Sequence, residues 1–260
     1  SSIGYTRLAN MNLVMKKDDA YIPVMFGSLM SSASSMSAMT SMSGIGLSSY
    51  PKSLHEGESY LEKNYELLAG EYPTKATDLV LVIETSNRID VNTMMALGFD
   101  TEDVENIKFS DIVGTEYKLV GNNDYYSQVD YEGAKVYMPG SDYEAMYQAE
   151  GTKTLTITAV VRQKEGTKMG ILATGIAYSD DLSQMVIDDA MESDIVKAQK
   201  EVNYNVMSMD EFADEDTKDI FVSYLGGDAT PFMVMVFPKD FESKDKILEY
   251  IDQYNEGKET

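Results

Sequence analysis

Few residues in this 260-residue chain could carry out chemistry, and the sequence does not bring them together. His55 is the only histidine, cysteine is absent, and no Gly-x-Ser-x-Gly segment would place a nucleophilic serine on a sharp turn. A Ser-His-Asp triad would have to use His55, which lies in the polar stretch 51–59. A lone histidine in such a stretch is more often a surface residue than a base. We therefore predict no catalytic residue.

Methionine thioethers are the second source of possible chemistry. Segment 27–49 consists almost entirely of Ser, Met, Ala and Gly, and it contains no charged residue. Soft thioether ligands could hold Cu(I), although copper sites usually add His or Cys, and only His55 is available. The segment could instead form an adaptable apolar contact surface for a peptide or protein, or a mobile loop of low complexity. We predict no metal and no cofactor.

Carboxylates are abundant but show no ligand spacing. The chain has 44 acidic and 21 basic residues, which gives a formal net charge of −23. Such a field repels nucleic acid and anionic membrane surfaces, so neither is predicted as a partner. Asp100, Glu102 and Asp103 lack the regular spacing, central glycine and distal glutamate of a calcium loop. A solvated acidic surface is the better interpretation.

The residues from Tyr65 to Phe99 form the unit around which other elements must pack. Leu79–Ile83 are five consecutive apolar residues, which predicts a strand buried on both faces. Asp90 can cap the helix that follows, and Gly98 is placed to end it. Before the strand, Gly70 and Pro73 predict a turn.

The remaining apolar patterns predict strands and helices in irregular order. Strands are expected at one or two places within 3–14 and at 21–26, 115–120, 154–161, 171–178 and 232–237, the last of them buried. A hairpin is expected over 121–137, with its polar tip at 122–124. Helices are expected to begin at Ser179 and Ser243, and a third to end at Gly226. Because strands and helices do not alternate strictly, the predicted fold class is α+β.

Tyrosines are concentrated in the middle of the chain. Six of them could form a binding surface or pack strands together: Tyr117, Tyr125, Tyr126, Tyr131, Tyr137 and Tyr143. The sequence leaves both interpretations open.

The stretch 65–99 resembles the extracytoplasmic core of MacB/FtsX-type ABC transporter permeases of the Gram-positive kind. In that family a Leu-x-x-Gly-Arg-x-Pro/Phe loop precedes a Val-x-Val-Leu strand and a Leu-x-x-Leu-Gly helix. Here Glu71 stands where the family more often has a basic residue. Later segments match in the same order: strand 154–161 with Ala159 at a usual glycine, strand 171–178, and Pro238-Lys-Asp-Phe before the last helix.

The resemblance implies a MacB periplasmic-core-like fold with two lobes. Residues 1–60 and 153–260 would form a porter-like βαβ lobe that carries the Met/Ser-rich loop 27–49. Its first βαβ unit would be truncated or would precede Ser1. Residues 61–152 would form an inserted, more β-rich lobe. No segment reaches the roughly 18 apolar residues of a membrane helix, so the resemblance implies the soluble part between two such helices.

The resemblance also implies a function without catalysis. The domain would lie on the extracellular face of the cell membrane and couple membrane-helix motion to the binding or passage of a partner. That partner would be a peptide, a lipid or lipoprotein, or a cell-wall hydrolase, and none is favoured by the residues. A cytoplasmic ATPase subunit and a second permease would complete the assembly. The alternatives are a secreted binding protein that uses the Met-rich surface loop, and a secreted hydrolase.

Overall fold

The structure, a computed structural model, describes residues 2–24, 47–51, 54, 57–101, 106–131, 133–167 and 172–257. The strands within these ranges are β1 (Ser2–Thr6), β2 (Leu13–Lys17), β3 (Ala20–Val24), β4 (Leu47–Tyr50), β5 (Tyr65–Gly70), β6 (Asp78–Ile83), β7 (Glu116–Leu119), β8 (Tyr126–Tyr131), β9 (Ala134–Pro139), β10 (Lys153–Gln163), β11 (Gly175–Ser179) and β12 (Met233–Phe237). The helices there are α1 (Tyr60–Asn64), α2 (Val91–Ala96), α3 (Phe109–Ile112), α4 (Asn122–Tyr125), α5 (Tyr143–Gln148), α6 (Asp180–Ala190), α7 (Asp194–Glu201), α8 (Glu215–Tyr224) and α9 (Phe241–Asn255).

An eight-stranded mixed sheet forms the body of the molecule. Seven of its strands follow the order β3-β2-β7-β10-β6-β11-β4, and the eighth, β5, pairs with β10 outside this order. The long strand β10 runs parallel to β6 on one side and pairs antiparallel with β7 and then β5 on the other. The pair β11–β4 is also parallel. The fold is therefore α+β in general terms, as the sequence predicts.

The strand β6 is buried along its whole length, which confirms the prediction for Leu79–Ile83. Alternate residues face two different apolar clusters. Leu79 and Leu81 pack with α2, α3 and α6, whereas Val80 and Val82 pack with α1 and its neighbours. This arrangement is what a strand between two packed layers requires.

Several local predictions are confirmed. Asp90 accepts hydrogen bonds from the backbone N–H groups of Asn92 and Thr93 at the start of α2, and Gly98 has a φ of +83° after its end. Ser179 caps α6, and Gly226 follows α8 with a φ of +81°. The expected strands at 3–14, 115–120 and 154–161 are β1 with β2, β7 and β10.

Three local predictions are wrong. Residues 122–124 are not a hairpin tip but part of α4, and the hairpin is β8–β9. The last helix begins at Phe241 with Asp240 as its N-cap, because the Asp240 carboxylate accepts from the Ser243 N–H, so Ser243 is not the cap. The strand β12 exists, but Met233, Val234 and Val236 are exposed rather than buried.

The predicted division into two lobes stays a prediction. Strands from residues 61–152, namely β5, β6 and β7, are interleaved in the main sheet with strands from residues 1–60 and 153–260. Outside this sheet, β1 pairs with β12 as a two-stranded ribbon that joins the first and last strands of the described residues.

Candidate functional surface

Most residues that could have done chemistry lie outside the described residues. These are His55, Glu102, Asp103 and the Met/Ser-rich loop 27–49 apart from its last three residues. Within the described ranges, no group of three or more His, Asp or Glu side chains is arranged to hold a metal ion. The Met-loop interpretations and the absence of a cofactor therefore stay predictions.

The six tyrosines do not gather on one surface. Tyr117 is fully buried in the main core, where its hydroxyl donates to the Leu97 carbonyl at 2.9 Å, and burial raises its pKa above the ordinary value. Tyr126 lies in a separate cluster with α7 and α8, whereas Tyr131 is 58% exposed on the hairpin. Their distribution supports a role in packing, against helices as well as strands, rather than a shared binding surface.

A buried polar junction holds the helical side of the molecule to the sheet. The Asn12 side-chain amide donates to the side-chain oxygen Oδ1 of Asn122 at 3.0 Å. The Asn122 side-chain amide in turn donates to Ser193 Oγ and to the Leu225 backbone carbonyl. A cavity of about 20 Å³ lies beside it. That volume is far below the several hundred Å³ of a ligand pocket, so the junction is structural.

The ribbon β1–β12 carries the unexpected surface. Its antiparallel register places Ile3 opposite Val236 and Tyr5 opposite Val234, so these side chains share one face. Ile3 is 46% exposed and Val234 is 52% exposed, which shows that this outer face is open to solvent. On the inner face a Cβ added at Gly4 would lie 3.1 Å from Pro51, so that face contacts the body.

The ribbon is attached to the body by a few specific contacts. The Ser49 hydroxyl donates to the Tyr5 carbonyl at 3.1 Å. Arg7, just after β1, donates through Nε to the Ala229 carbonyl, in the segment before β12, at 3.0 Å and so links the two ends of the ribbon that lead into the chain. The Phe237 ring packs edge-on against Tyr60 with ring centroids 5.6 Å apart. The ribbon thus has one anchored face and one free face.

Asp180 adds an electrostatic contact to this attachment. Its pKa is raised, first by burial and then by the neighbouring Asp181 carboxylate. The Tyr5 N–H, which donates to the Asp180 carboxylate, and the Arg7 guanidinium act in the opposite direction. The start of α6 therefore contacts the ribbon through a carboxyl group whose charged form is disfavoured by burial.

The last helix, α9, carries further exposed apolar side chains. None of its residues is buried, and Phe241 is 85% exposed. Exposed apolar side chains repeat along it at Leu248, Ile251 and Tyr254, with spacings of three residues. More than half of the large hydrophobic side chains that are exposed among the described residues lie within 232–254. We call the outer face of the ribbon together with α9 the terminal surface.

Sequence reasoning missed the terminal surface because of β12. An uncharged run such as Phe232–Phe237 is typical of a strand buried on both faces. Periodicity cannot separate such a strand from an apolar edge strand, since the difference lies in what covers it.

Comparisons of the chain with models of protein families, with curated protein sequences and with solved structures find no match. No helix among the residues described by the structure combines the length and the apolar character that crossing a membrane requires.

Proposed function

We propose that this chain is a non-catalytic extracellular domain of an ABC transporter permease of the MacB/FtsX type. It couples the motion of membrane helices to the binding or passage of a peptide, a lipid or lipoprotein, or a cell-wall enzyme. Residues 1–60 and 153–260 act as the porter-like lobe, and residues 61–152 as the inserted lobe. A cytoplasmic ATPase subunit and a second permease are its partners.

The register of the ribbon is the observation that carries this proposal. Ser2 lies opposite Phe237, and antiparallel partners have Cα atoms about 4.5–5.5 Å apart. The two ends of the folded body therefore leave it side by side, with α9 leading away from the second end. A domain placed between two neighbouring membrane helices needs this juxtaposition, because both of its ends must return to one place.

The attachment of the ribbon supports a mechanical role. Movement of two flanking helices would act on β1 directly and on β12 through α9. From there it would pass to the body through the contact of Tyr5 with Ser49 and the contact of Phe237 with Tyr60. Transmission through a packed ribbon produces a rigid-body shift of the domain.

The first test concerns the coding sequence around this segment. We expect stretches of about 18 or more predominantly apolar residues shortly before Ser1 and shortly after Thr260. Charged and polar sequence on both sides would overturn the proposal.

The second test measures the side of the membrane and the partner. An epitope inserted at Gly133, in the turn between β8 and β9, should be cleaved when protease is added to intact, wall-stripped cells. The same tagged protein should purify in detergent with a subunit that hydrolyses ATP. Cleavage only after lysis, or purification without ATPase activity, would contradict the proposal.

A further inference from the structure

The outer edge of β12 is an unpaired strand edge among the described residues, since β12 pairs there only with β1. A free edge presents backbone N–H and C=O groups that another strand can bond. Proteins usually protect such an edge with charged residues, proline or a bulge. The five residues Met233–Phe237 contain none of these, and three of them are exposed.

The strand is also nearly symmetric in sequence. Val234-Met235-Val236 is the same in both directions, with Met233 and Phe237 on either side. Two copies of this strand that run antiparallel about Met235 bring Val234 of each copy opposite Val236 of the other. Cross-strand pairs of β-branched residues stabilise a sheet, and both valines lie on the outer face.

The β12 edge is a place where a second copy meets no local charge repulsion. The chain carries a net charge of −23, so two copies repel each other over most of their surfaces. The ten residues of β1 and β12 contain no charged side chain. Pairing at this edge therefore sets no like charges against each other within the sheet.

We propose that two copies of this chain associate by antiparallel pairing of their β12 strands, centred on Met235. The product is a four-stranded sheet of order β1-β12-β12-β1, joined by about four new backbone hydrogen bonds. This inference does not depend on the permease proposal, because it concerns the isolated chain in solution. A failure of one therefore leaves the other standing.

The small area of the β12 edge limits the affinity that we expect for the dimer. A stable protein dimer buries about 800 Å² on each partner. A five-residue strand with a few half-exposed side chains offers less than that, so the dimer should be weak and dependent on concentration. Sedimentation of the 28.9 kDa chain from about 10 µM to about 500 µM should show its average mass rising toward twice that value.

The first variant introduces like charges across the proposed axis. In Val234→Lys/Val236→Lys the lysines of the two copies would lie directly opposite each other, and we expect dimer affinity to fall at least tenfold. The control is Val91→Lys/Met95→Lys on α2, which replaces two exposed apolar residues and adds the same charge. It should change the affinity less than twofold. Melting curves of both variants check that each is folded.

The second variant tests the register directly. The chain has no cysteine, so Met235→Cys introduces a single thiol. Opposite Cα atoms in an antiparallel pair lie within disulfide range, so this variant should form a covalent dimer on mild oxidation. Met95→Cys, 59% exposed on α2, is the matched control and should react much more slowly.

Two results would overturn the proposal. A wild-type chain that keeps a mass of 28.9 kDa at the highest concentration does not pair with itself, and the edge is then open to a strand of another protein. A dimer that forms equally well in Val234→Lys/Val236→Lys, or that cross-links no faster through Met235→Cys than through Met95→Cys, uses a different surface.

Discussion

Asn122 is the residue on which the junction between sheet and helices depends most directly. It is 7% exposed, and its amide bonds to Asn12, Ser193 and the Leu225 carbonyl. These partners belong to the segment before β2, the start of α7 and the end of α8. One side chain therefore satisfies buried polar groups from three parts of the chain.

Asn122→Ala should remove the hydrogen-bond partner of the buried Asn12 amide and of the Leu225 carbonyl, whereas Ser193 Oγ keeps its bond to the Ala190 carbonyl. Each unsatisfied buried group costs about 1–3 kcal/mol, and a nearby water can recover part of this cost. We therefore expect the free energy of unfolding to fall by about 2–3 kcal/mol. Urea unfolding followed by circular dichroism measures this change. Asn92→Ala, at an exposed position of α2, is the control and should change stability by less than about 0.5–1 kcal/mol. Equal effects of the two substitutions would show that the junction contributes little.

Asp180 gives the molecule a pH dependence whose sign follows from its environment. Burial raises its pKa, so the folded state binds this proton more readily than the unfolded chain does. Its contribution to stability therefore falls as pH rises through the range above the ordinary aspartate pKa. Asp180→Asn removes this titration, and the asparagine oxygen can still accept from the Tyr5 N–H.

We expect the stability of Asp180→Asn relative to the wild type to increase from about pH 4 to pH 7. Melting temperatures of both proteins across this range provide the measurement. Asp188→Asn, at an exposed position of the same helix, controls for the loss of one negative charge. A difference that is constant or decreases with rising pH would show that Asp180 is better accommodated as a carboxylate.

The elements differ in how far the sequence could predict them. A run such as Leu79–Ile83 fixes a strand because five apolar residues need cover on both faces, and the cores on either side of β6 provide it. Capping by Asp90 and Ser179 was predictable because each side chain bonds the backbone next to it. These predictions use contacts within a few residues.

Predictions failed where distant contacts decide the outcome. Asn122 looks like a turn residue, but it lies in α4 because its side chain bonds groups far away in sequence. Val234 and Val236 of β12 are exposed because no layer of the described residues covers the outer face of the ribbon, which no local pattern encodes. The terminal surface as a whole could not be predicted for the same reason.

The strand β6 provides a test at the level of an element. Val82 is 3% exposed and lies on the face of the sheet that packs against α1, so Val82→Asp would bury a charge without a partner. We expect the variant to be unfolded or to lose more than about 4 kcal/mol of stability, as the largest single substitutions do. Val91→Asp, at a position that is 52% exposed, is the matched control. An unchanged melting temperature in Val82→Asp would show that the central strand is assigned wrongly.

At the scale of the whole molecule, the pairing of β1 with β12 holds the first and last strands of the described residues together. The first and last strands of the described residues do not join the main sheet but pair with each other. Any force on one end is therefore shared with the other before it reaches the body. The permease proposal and the dimer proposal both use this ribbon, the first through its ends and the second through its edge.

The ribbon can be tested by a disulfide between its strands. Ile3 and Val236 are opposite each other and both are exposed, so Ile3→Cys/Val236→Cys should form an intramolecular disulfide at low protein concentration. The bond would close a loop of nearly the whole chain and raise the free energy of unfolding by up to about 4–5 kcal/mol. Ile3→Cys/Met233→Cys is the control, because Met233 pairs with Thr6, roughly 10 Å along the strand from Ile3. If the control pair oxidised as readily as the test pair, the two ends would not be held in this register, and the support for a domain between membrane helices would be lost.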